Sequence, residues 1–343
     1  MKRALHCSVL GCALVLLTVP TFAAQNPVTS NSHEPTKQAK ARDTAQLAFQ
    51  RDLVSVLAPR ADAEHLLAAA VLARPLFNQP PSNSFHRLIT RAAKAANADA
   101  AVNWMRLADC DAKAAACPNA DALNQLLSEA PDNAAVWLIK LGMDARDAKK
   151  DAVREDLHQA AEAKLYDDYT GSSLQALANS VGTLPPPADT FDSSHASGAA
   201  GMQTMMIYGL ANTQPQPGLQ MVAKLCAPEG DDASIKNDCL KLGKVLEWGS
   251  SPLARSLGLH LSEVLSDDAA QQQAAKNARL DLIWQVQNFG QLLAKAQDDP
   301  TVARDLLKLA RNGGTEMSLQ LAALREHDIA VNAPHDWQPR QTE

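Results

Sequence analysis

Two adjacent carboxylates between two tyrosines are the residues best suited to chemistry in this chain. The run Tyr166-Asp167-Asp168-Tyr169 follows a helical pattern that ends near Leu165. Paired carboxylates carry out general acid–base catalysis, and tyrosine rings stack on sugars or peptides. Asp also favours helix termini and N-caps, where it accepts backbone hydrogen bonds. The run therefore predicts either a site, with Asp167 and Asp168 catalytic and both tyrosines binding, or a helix terminus followed by a cap.

The cysteines that come after Ala24 form two closely spaced pairs. Neither pair has the Cys-x-x-Cys spacing of a zinc ribbon or a redox site. Each pair flanks a turn between two predicted helices, so local pairing brings the sulfur atoms together. Cross-pairing would require the two halves of the chain to meet at both points, and four free buried thiols would require a reducing compartment. We expect structural disulfides joining Cys110 to Cys117 and Cys226 to Cys239.

Other catalytic and ligand-binding motifs are missing from the sequence. It contains no Gly-x-Ser-x-Gly, no Ser-x-x-Lys, no Gly-rich phosphate loop and no His-Glu-x-x-His. Glu326, His327 and Asp328 could together hold a cation, but three consecutive side chains on a helix point in different directions. Methionines at 202, 205 and 206 have the spacing of a helix core, which is a more common role than copper binding. We expect no metal and no cofactor.

The N-terminal segment, from Met1 to Ala24, has the pattern of a secretory signal peptide. A basic start, Met1-Lys2-Arg3, precedes an uncharged apolar run and the small residues Ala23-Ala24. Cys12 ends a lipoprotein-like box, but the apolar run continues beyond it, which favours a cleaved leader over lipidation. No other stretch reaches the roughly 20 apolar residues of a membrane span. We expect a periplasmic or secreted protein without a transmembrane segment.

Charge and composition restrict the partner and the fold. The formal net charge is −6, and loss of Lys2 and Arg3 with the leader makes it −8. An acidic chain repels nucleic acid, and the sequence has no clustered basic face, so we expect no nucleic-acid partner. Apolar residues recur at helical spacing, the chain is rich in Ala, and alternating β-branched runs are almost absent. The sequence predicts an all-α protein of about a dozen helices.

One segment repeats at the spacing typical of helix-turn-helix repeats. Setting Ala100 on Ala134 aligns Ala-Ala-Val-Asn-Trp-Met-Arg-Leu-Ala with Ala-Ala-Val-Trp-Leu-Ile-Lys-Leu-Gly. With Pro131 at the junction between the two segments, residues 97–169 resemble tetratricopeptide repeats. One feature departs from the family pattern, because Leu141-Gly142 follows Trp137 one residue too late. The resemblance implies stacked helical hairpins and a protein-binding scaffold. It carries no functional residue, because the surfaces of this family vary. We expect Trp137 to be buried against the next helix.

The remaining patterns divide the chain. Residues 25–40 are polar and predict a disordered tether. Residues 41–330 form the helical domain, with halves 41–182 and 199–330 joined by a Pro/Ser-rich loop, and 331–343 form a loose tail. The fold expected is an irregular α-solenoid of stacked hairpins, tetratricopeptide-like in part. The function expected is an exported, non-enzymatic scaffold for a protein or peptide partner in the bacterial cell envelope. The alternative is an enzyme that acts on an envelope polymer.

Overall fold

Every regular element that the structure describes is helical. The structure is a computed structural model, and it describes residues 36–110, 117–227 and 232–339. These residues contain fifteen α-helices, a few short 3-10 turns and no β-strand. The prediction of an all-α protein is confirmed. The leader, the lipoprotein-like box at Cys12 and most of the tether, residues 25–35, lie outside the described residues.

The helices follow one another through short connections. In chain order they are α1 (Lys37–Leu57), α2 (Ala63–Ala73), α3 (Phe85–Ala92), α4 (Ala100–Arg106), α5 (Ala120–Glu129), α6 (Ala134–Arg146), α7 (Lys150–Glu162), α8 (Thr170–Ser180), α9 (Gly198–Ala211), α10 (Leu219–Leu225), α11 (Ala233–Glu247), α12 (Pro252–Leu265), α13 (Ala269–Lys295), α14 (Pro300–Asn312) and α15 (Glu316–Glu326).

Local capping chemistry fixes where many of these helices begin. The Asp62 carboxylate accepts a hydrogen bond from His65 N, and Asp99 caps α4 in the same way. Such caps satisfy backbone N–H groups that have no partner inside the helix. Asn133 caps α6, so the caps of α4 and α6 occupy equivalent positions in the two aligned segments. At the N-terminus, Thr36 caps α1, which therefore begins at Lys37 and not at Ala41.

The packing of α8 joins elements that are distant in sequence. α8 lies between α7 and α9 in the chain, and it packs against α2, α9 and α14. Leu174 and Leu177 of α8 belong to a core that also contains Leu66 of α2 and Leu307 of α14. A second core contains residues of α4 to α7 and α10 to α12. The halves 41–182 and 199–330 therefore share buried side chains.

The Pro/Ser-rich loop between the halves is held in place by polar contacts. Arg42 Nη2 lies 2.7 Å from Asp192 Oδ2, and Gln46 Nε2 donates to the carbonyl oxygen of Thr190 at 2.7 Å. Ser197 Oγ donates to the carbonyl oxygen of Gln297. The loop thus contacts α1 on one side and the end of α13 on the other.

The described part of the tail is also held, which differs from the loose segment expected. Trp337 meets Trp284 of α13 edge-on, with ring centroids 5.3 Å apart. Ala333 N donates to Asp281 Oδ1 at 2.8 Å, and Trp284 Nε1 donates to the carbonyl oxygen of Ala330 at 2.7 Å. The aromatic contact between Trp284 and Trp337 fixes a segment whose polar composition alone predicts mobility. Residues 340–343 lie outside the described residues.

Both expected disulfides are present. Cys110 and Cys117 are bonded with their Cα atoms 5.2 Å apart, and Cys226 and Cys239 with theirs 5.7 Å apart. Cys239 is fully buried against the second core. The first bond spans the connection between α4 and α5, and the second joins the end of α10 to the second turn of α11. The prediction of local pairing is confirmed.

Candidate functional site

The segment Tyr166–Tyr169 connects α7 to α8 and is fastened first to the start of α6. Ala134 N donates to the carbonyl oxygen of Leu165 at 2.8 Å. Asp167 N donates to Asn133 Oδ1 at 2.9 Å, and Asn133 Nδ2 donates back to the carbonyl oxygen of Asp167 at 2.8 Å. The amide that caps α6 therefore also orients the backbone between the two aspartates.

The other side of the segment is fastened to the starts of α12 and α15. Ser250 N donates to the carbonyl oxygen of Tyr166 at 3.0 Å, and Asp168 N donates to Ser250 Oγ at 3.1 Å. Met317 N donates in turn to the carbonyl oxygen of Ser250 at 2.9 Å. Ser250 thus links α15 and the turn before α12 to the two candidate residues.

Four helix N-termini consequently converge on this segment. They belong to α6, α8, α12 and α15, and each carries a partial positive charge from its backbone dipole. The approach of α8 to the loop before α15 is direct, because a Cβ at Gly171 would overlap the carbonyl oxygen of Gly314. This convergence explains why acidic side chains collect here.

Both aspartates accept hydrogen bonds at the start of α8. Asp167 Oδ1 accepts from Tyr169 N at 2.9 Å. Asp168 Oδ1 accepts from Thr170 N at 3.3 Å and from Ser250 Oγ at 3.2 Å. Burial, with the charge of Asp168, raises the pKa of Asp167, although its bond from Tyr169 N acts in the opposite direction. These bonds favour the helix terminus and cap over a freely moving acid–base pair.

The two tyrosines contact the interior of the protein. Tyr166 is buried in the second core. The ring of Tyr169 meets the fully buried indole of Trp104, with centroids 5.6 Å apart and a tilt of 53°. Asn133 Nδ2 lies 3.3 Å from Tyr169 Oη. A ligand that stacked on either ring would have to displace these core contacts.

The structure adds a third carboxyl group, which no pattern in the sequence connects with this segment. Glu316 is the first residue of α15, and its Oε1 accepts from Gln320 Nε2 at 3.0 Å. Burial and the negative charge of Asp168 raise the pKa of Glu316 to about 8. Burial, followed by the charges of Asp168 and Glu316, also raises the pKa of Tyr166. The interior side of the segment is therefore a compact acidic centre.

The residue before Tyr166 lies on the outside and borders a surface groove. Leu165 is 49% exposed, and the indole of Trp248, at the end of α11, is 81% exposed. The groove has a volume of about 370 Å³ and lies where α7 and α11 end. Its lining consists of Lys164, Leu165, Lys244, Val245 and Trp248. We call these five residues the Trp248 groove.

The two lysines give the Trp248 groove a local charge opposite to that of the whole chain. Lys164 Nζ lies 2.6 Å from Asp132 Oδ2, and both side chains are largely exposed to water. Among the described residues, no carboxylate lies within ion-pair distance of Lys244. Lys244 lies in the last turn of α11, where its charge also offsets the helix dipole. The groove thus combines an apolar wall with an ammonium group that can pair with a carboxylate of a ligand.

A second groove, between α7 and α11, has a different character. It has a volume of about 290 Å³, and its lining includes three carboxylates, one arginine and one histidine. Arg154 pairs with Asp232, and His158 Nδ1 lies 3.2 Å from Asp238 Oδ1. Its cationic groups are thus already paired, and the remaining charged side chains of the lining, Asp151 and Glu155, are exposed carboxylates.

Sequence reasoning missed Trp248. A signal for it was present: Trp248 comes directly before Gly249-Ser250-Ser251-Pro252, a turn with a Ser-Pro helix start. A large aromatic residue between two helices has no helical face on which periodicity can be read. Its exposure depended on how α11 packs against α7, which no local pattern reports.

Three further observations concern metals, membranes and known proteins. Among residues 36–110, 117–227 and 232–339, no cluster of three or more His, Cys, Asp or Glu side chains is arranged to hold a metal ion. Over the same ranges, no helix has the length and apolar character needed to cross a bilayer. Comparison with protein-family models, with curated proteins and with solved structures finds no match for this chain.

Proposed function

We propose that this chain is an exported, non-enzymatic scaffold that binds a protein or peptide partner in the bacterial cell envelope through the Trp248 groove. The observation that carries the proposal is the exposed indole of Trp248 beside the exposed Leu165. Trp is enriched among the residues that contribute most to protein interfaces, where its ring loses contact with water. Exposed contiguous apolar surface marks such contacts.

The cellular setting belongs to the same proposal. Two disulfides in one chain support an oxidising compartment outside the cytoplasm. The leader predicted at residues 1–24 would direct the chain there, either to the periplasm or into the medium. N-terminal sequencing of the mature protein tests this step: a start at Gln25 or Ala24 is expected, and a lipid-modified Cys12 would contradict it.

The repeat-like architecture is also proposed, and only for part of the chain. The caps Asp99 and Asn133, at equivalent positions of the aligned segments, support tetratricopeptide-like stacking of α4 to α7. In a solenoid each hairpin contacts mainly its neighbours. The contacts of α8 with α2 and α14 limit the comparison to the earlier helices.

Site-specific photo-crosslinking tests the docking surface. A benzophenone amino acid placed at Val245 in the native cells should give one discrete crosslinked product. The same substitution at Phe77, which is 82% exposed in the loop after α2, is the matched control. A product that forms at Val245, disappears with Trp248→Ala and is not seen from Phe77 supports the proposal. Equal products at both positions would contradict it.

The enzymatic alternative has one observation in its favour. The carboxyl group of Glu316, with a pKa of about 8, stays protonated at neutral pH, as a general acid must. Purified envelope polymer incubated with the protein tests this alternative. Release of soluble fragments that Asp168→Asn and Glu316→Gln abolish, and that Trp248→Ala leaves intact, would favour the enzyme. If the native chain released no fragments, the enzymatic alternative would be ruled out.

A further inference from the structure

We infer that the Trp248 groove takes an acidic peptide segment, in which an apolar side chain lies against Trp248 and a neighbouring carboxylate pairs with Lys244. This inference rests on the proposed function and adds the chemistry of the partner. It starts from the lining: Leu165, Val245 and Trp248 supply the apolar part, and Lys164 and Lys244 supply the charge.

The apolar part determines what fills the groove. A volume of about 370 Å³ is at the lower end of the range for ligand sites, which suits a short segment with one large apolar side chain. Sugar hydroxyl groups both donate and accept hydrogen bonds, whereas the side chains that line the groove offer donors, from Lys164, Lys244 and Trp248, and no acceptor. The lining therefore favours a peptide over a glycan.

The charges determine which peptide. Lys164 already has Asp132 as a partner, whereas Lys244 has no carboxylate partner among the described residues. Lys241, which is nearby, is also already paired, with Glu162. A carboxylate from the partner would pair with Lys244, whereas a basic segment would be repelled by its unpaired ammonium group. Charge pairs at such a rim contribute selectivity and association rate more than affinity.

A competing explanation for Lys244 is purely structural. Lys244 lies in the last turn of α11, where a cation offsets the helix dipole without any ligand. If this were its whole role, Lys244→Glu would lower the stability of α11 and leave the choice of peptide unchanged. Peptide selectivity, measured beside the melting temperature, separates the two roles.

Fluorescence anisotropy with three labelled hexapeptides tests the inference on the full mature chain. The probes are Ser-Glu-Leu-Phe-Glu-Ser, its Gln counterpart and its Lys counterpart. We expect the acidic probe to bind at least about tenfold more tightly than the basic one, a ratio that falls between low and high salt as charges are screened. Trp248→Ala should weaken the binding of the acidic probe by about tenfold or more. Phe77→Ala should change nothing.

The charge-reversal pair gives the decisive comparison. Lys244→Glu should remove or reverse the preference for the acidic probe, whereas Lys276→Glu, the same change at an exposed position on α13, should preserve it. Binding that depends on Trp248 but is equal for all three probes would overturn the inference and leave the proposed function standing. If no probe bound in a Trp248-dependent way at about 1 mM, and crosslinking at Val245 also failed, both would be overturned.

Discussion

The ammonium group of Lys140 lies 2.6 Å from Asp156 Oδ1 and joins α6 to α7 through a charge pair. The same Nζ lies 2.7 Å from Asp144 Oδ2, and Lys149 Nζ lies 3.0 Å from Asp144 Oδ1. Asp156 is only 1% exposed. Burial raises the pKa of Asp156 to about 6, although Lys140 favours its charged form. The cluster stands in the helix pair that leads to the Tyr166–Tyr169 segment.

Removal of the shared cation should destabilise the protein in a pH-dependent way. In Lys140→Met, Asp144 and Asp156 stay buried without Lys140, which costs roughly 3–5 kcal/mol near neutral pH. The folded-state pKa of Asp156 then rises further above its unfolded value, whereas Asp144 keeps Lys149 as a partner, so the folded state binds more protons and stability falls as pH rises. Urea unfolding should show that Lys140→Met loses more free energy of unfolding at pH 7.5 than at pH 5. Lys276→Met, which alters an exposed lysine, should stay within about 0.5 kcal/mol of the native chain at both.

The acidic centre should impose its own pH dependence. The pKa of Glu316 is raised to about 8 in the fold, so the folded chain holds a proton that the unfolded chain loses near 4.5. The contribution of Glu316 to the free energy of unfolding is therefore fully present below about pH 4.5. It decreases between that pH and about pH 8, by at most about 1.4 kcal/mol per pH unit. Glu316→Gln keeps an acceptor for Gln320 and removes the titration. Its stability relative to the native chain should increase from pH 5 to pH 8, and a constant difference in thermal scans would contradict this.

The indole of Trp104, and not that of Trp137, should carry the larger share of core stability. Trp104 is fully buried and contacts Tyr169, so Trp104→Ala should cost roughly 3–5 kcal/mol. The expectation that Trp137 is buried holds only in part: it packs against the second core but is partly exposed, and its Nε1 donates to the carbonyl oxygen of Pro131 at 2.8 Å. Trp137→Ala should cost less. Equal unfolding midpoints for the two variants would contradict this order.

Each disulfide should contribute separately to stability. The chain-entropy model gives about 3 kcal/mol for Cys226–Cys239 and about 2.5 kcal/mol for Cys110–Cys117. Replacement of either pair by Ala should therefore lower the melting temperature, and a reductant should have no further effect on a variant that lacks both pairs. Peptide mapping without reduction provides the independent check, since a peptide joining the 110 region to the 226 region would contradict the pairing.

The sequence by itself determined the features that depend on near neighbours in the chain. The caps at Asp99 and Asn133 and the disulfide pairs each involve atoms close together along the chain, so residue type and spacing specify them. The helical class follows from the same local preferences. For that reason the fold class and the cysteine pairing were predictable.

Only the tertiary structure decided which residues meet across the fold. Ala fits both buried and exposed positions, so an Ala-rich helix gives little indication of which neighbour it packs against, and the contacts of α8 with α2 and α14 left no local pattern. The same packing placed Tyr166 inside, brought Glu316 to Asp168, and left Trp248 in water. These outcomes depend on the combined burial of many distant side chains, and that sum is defined only once the helices have assembled.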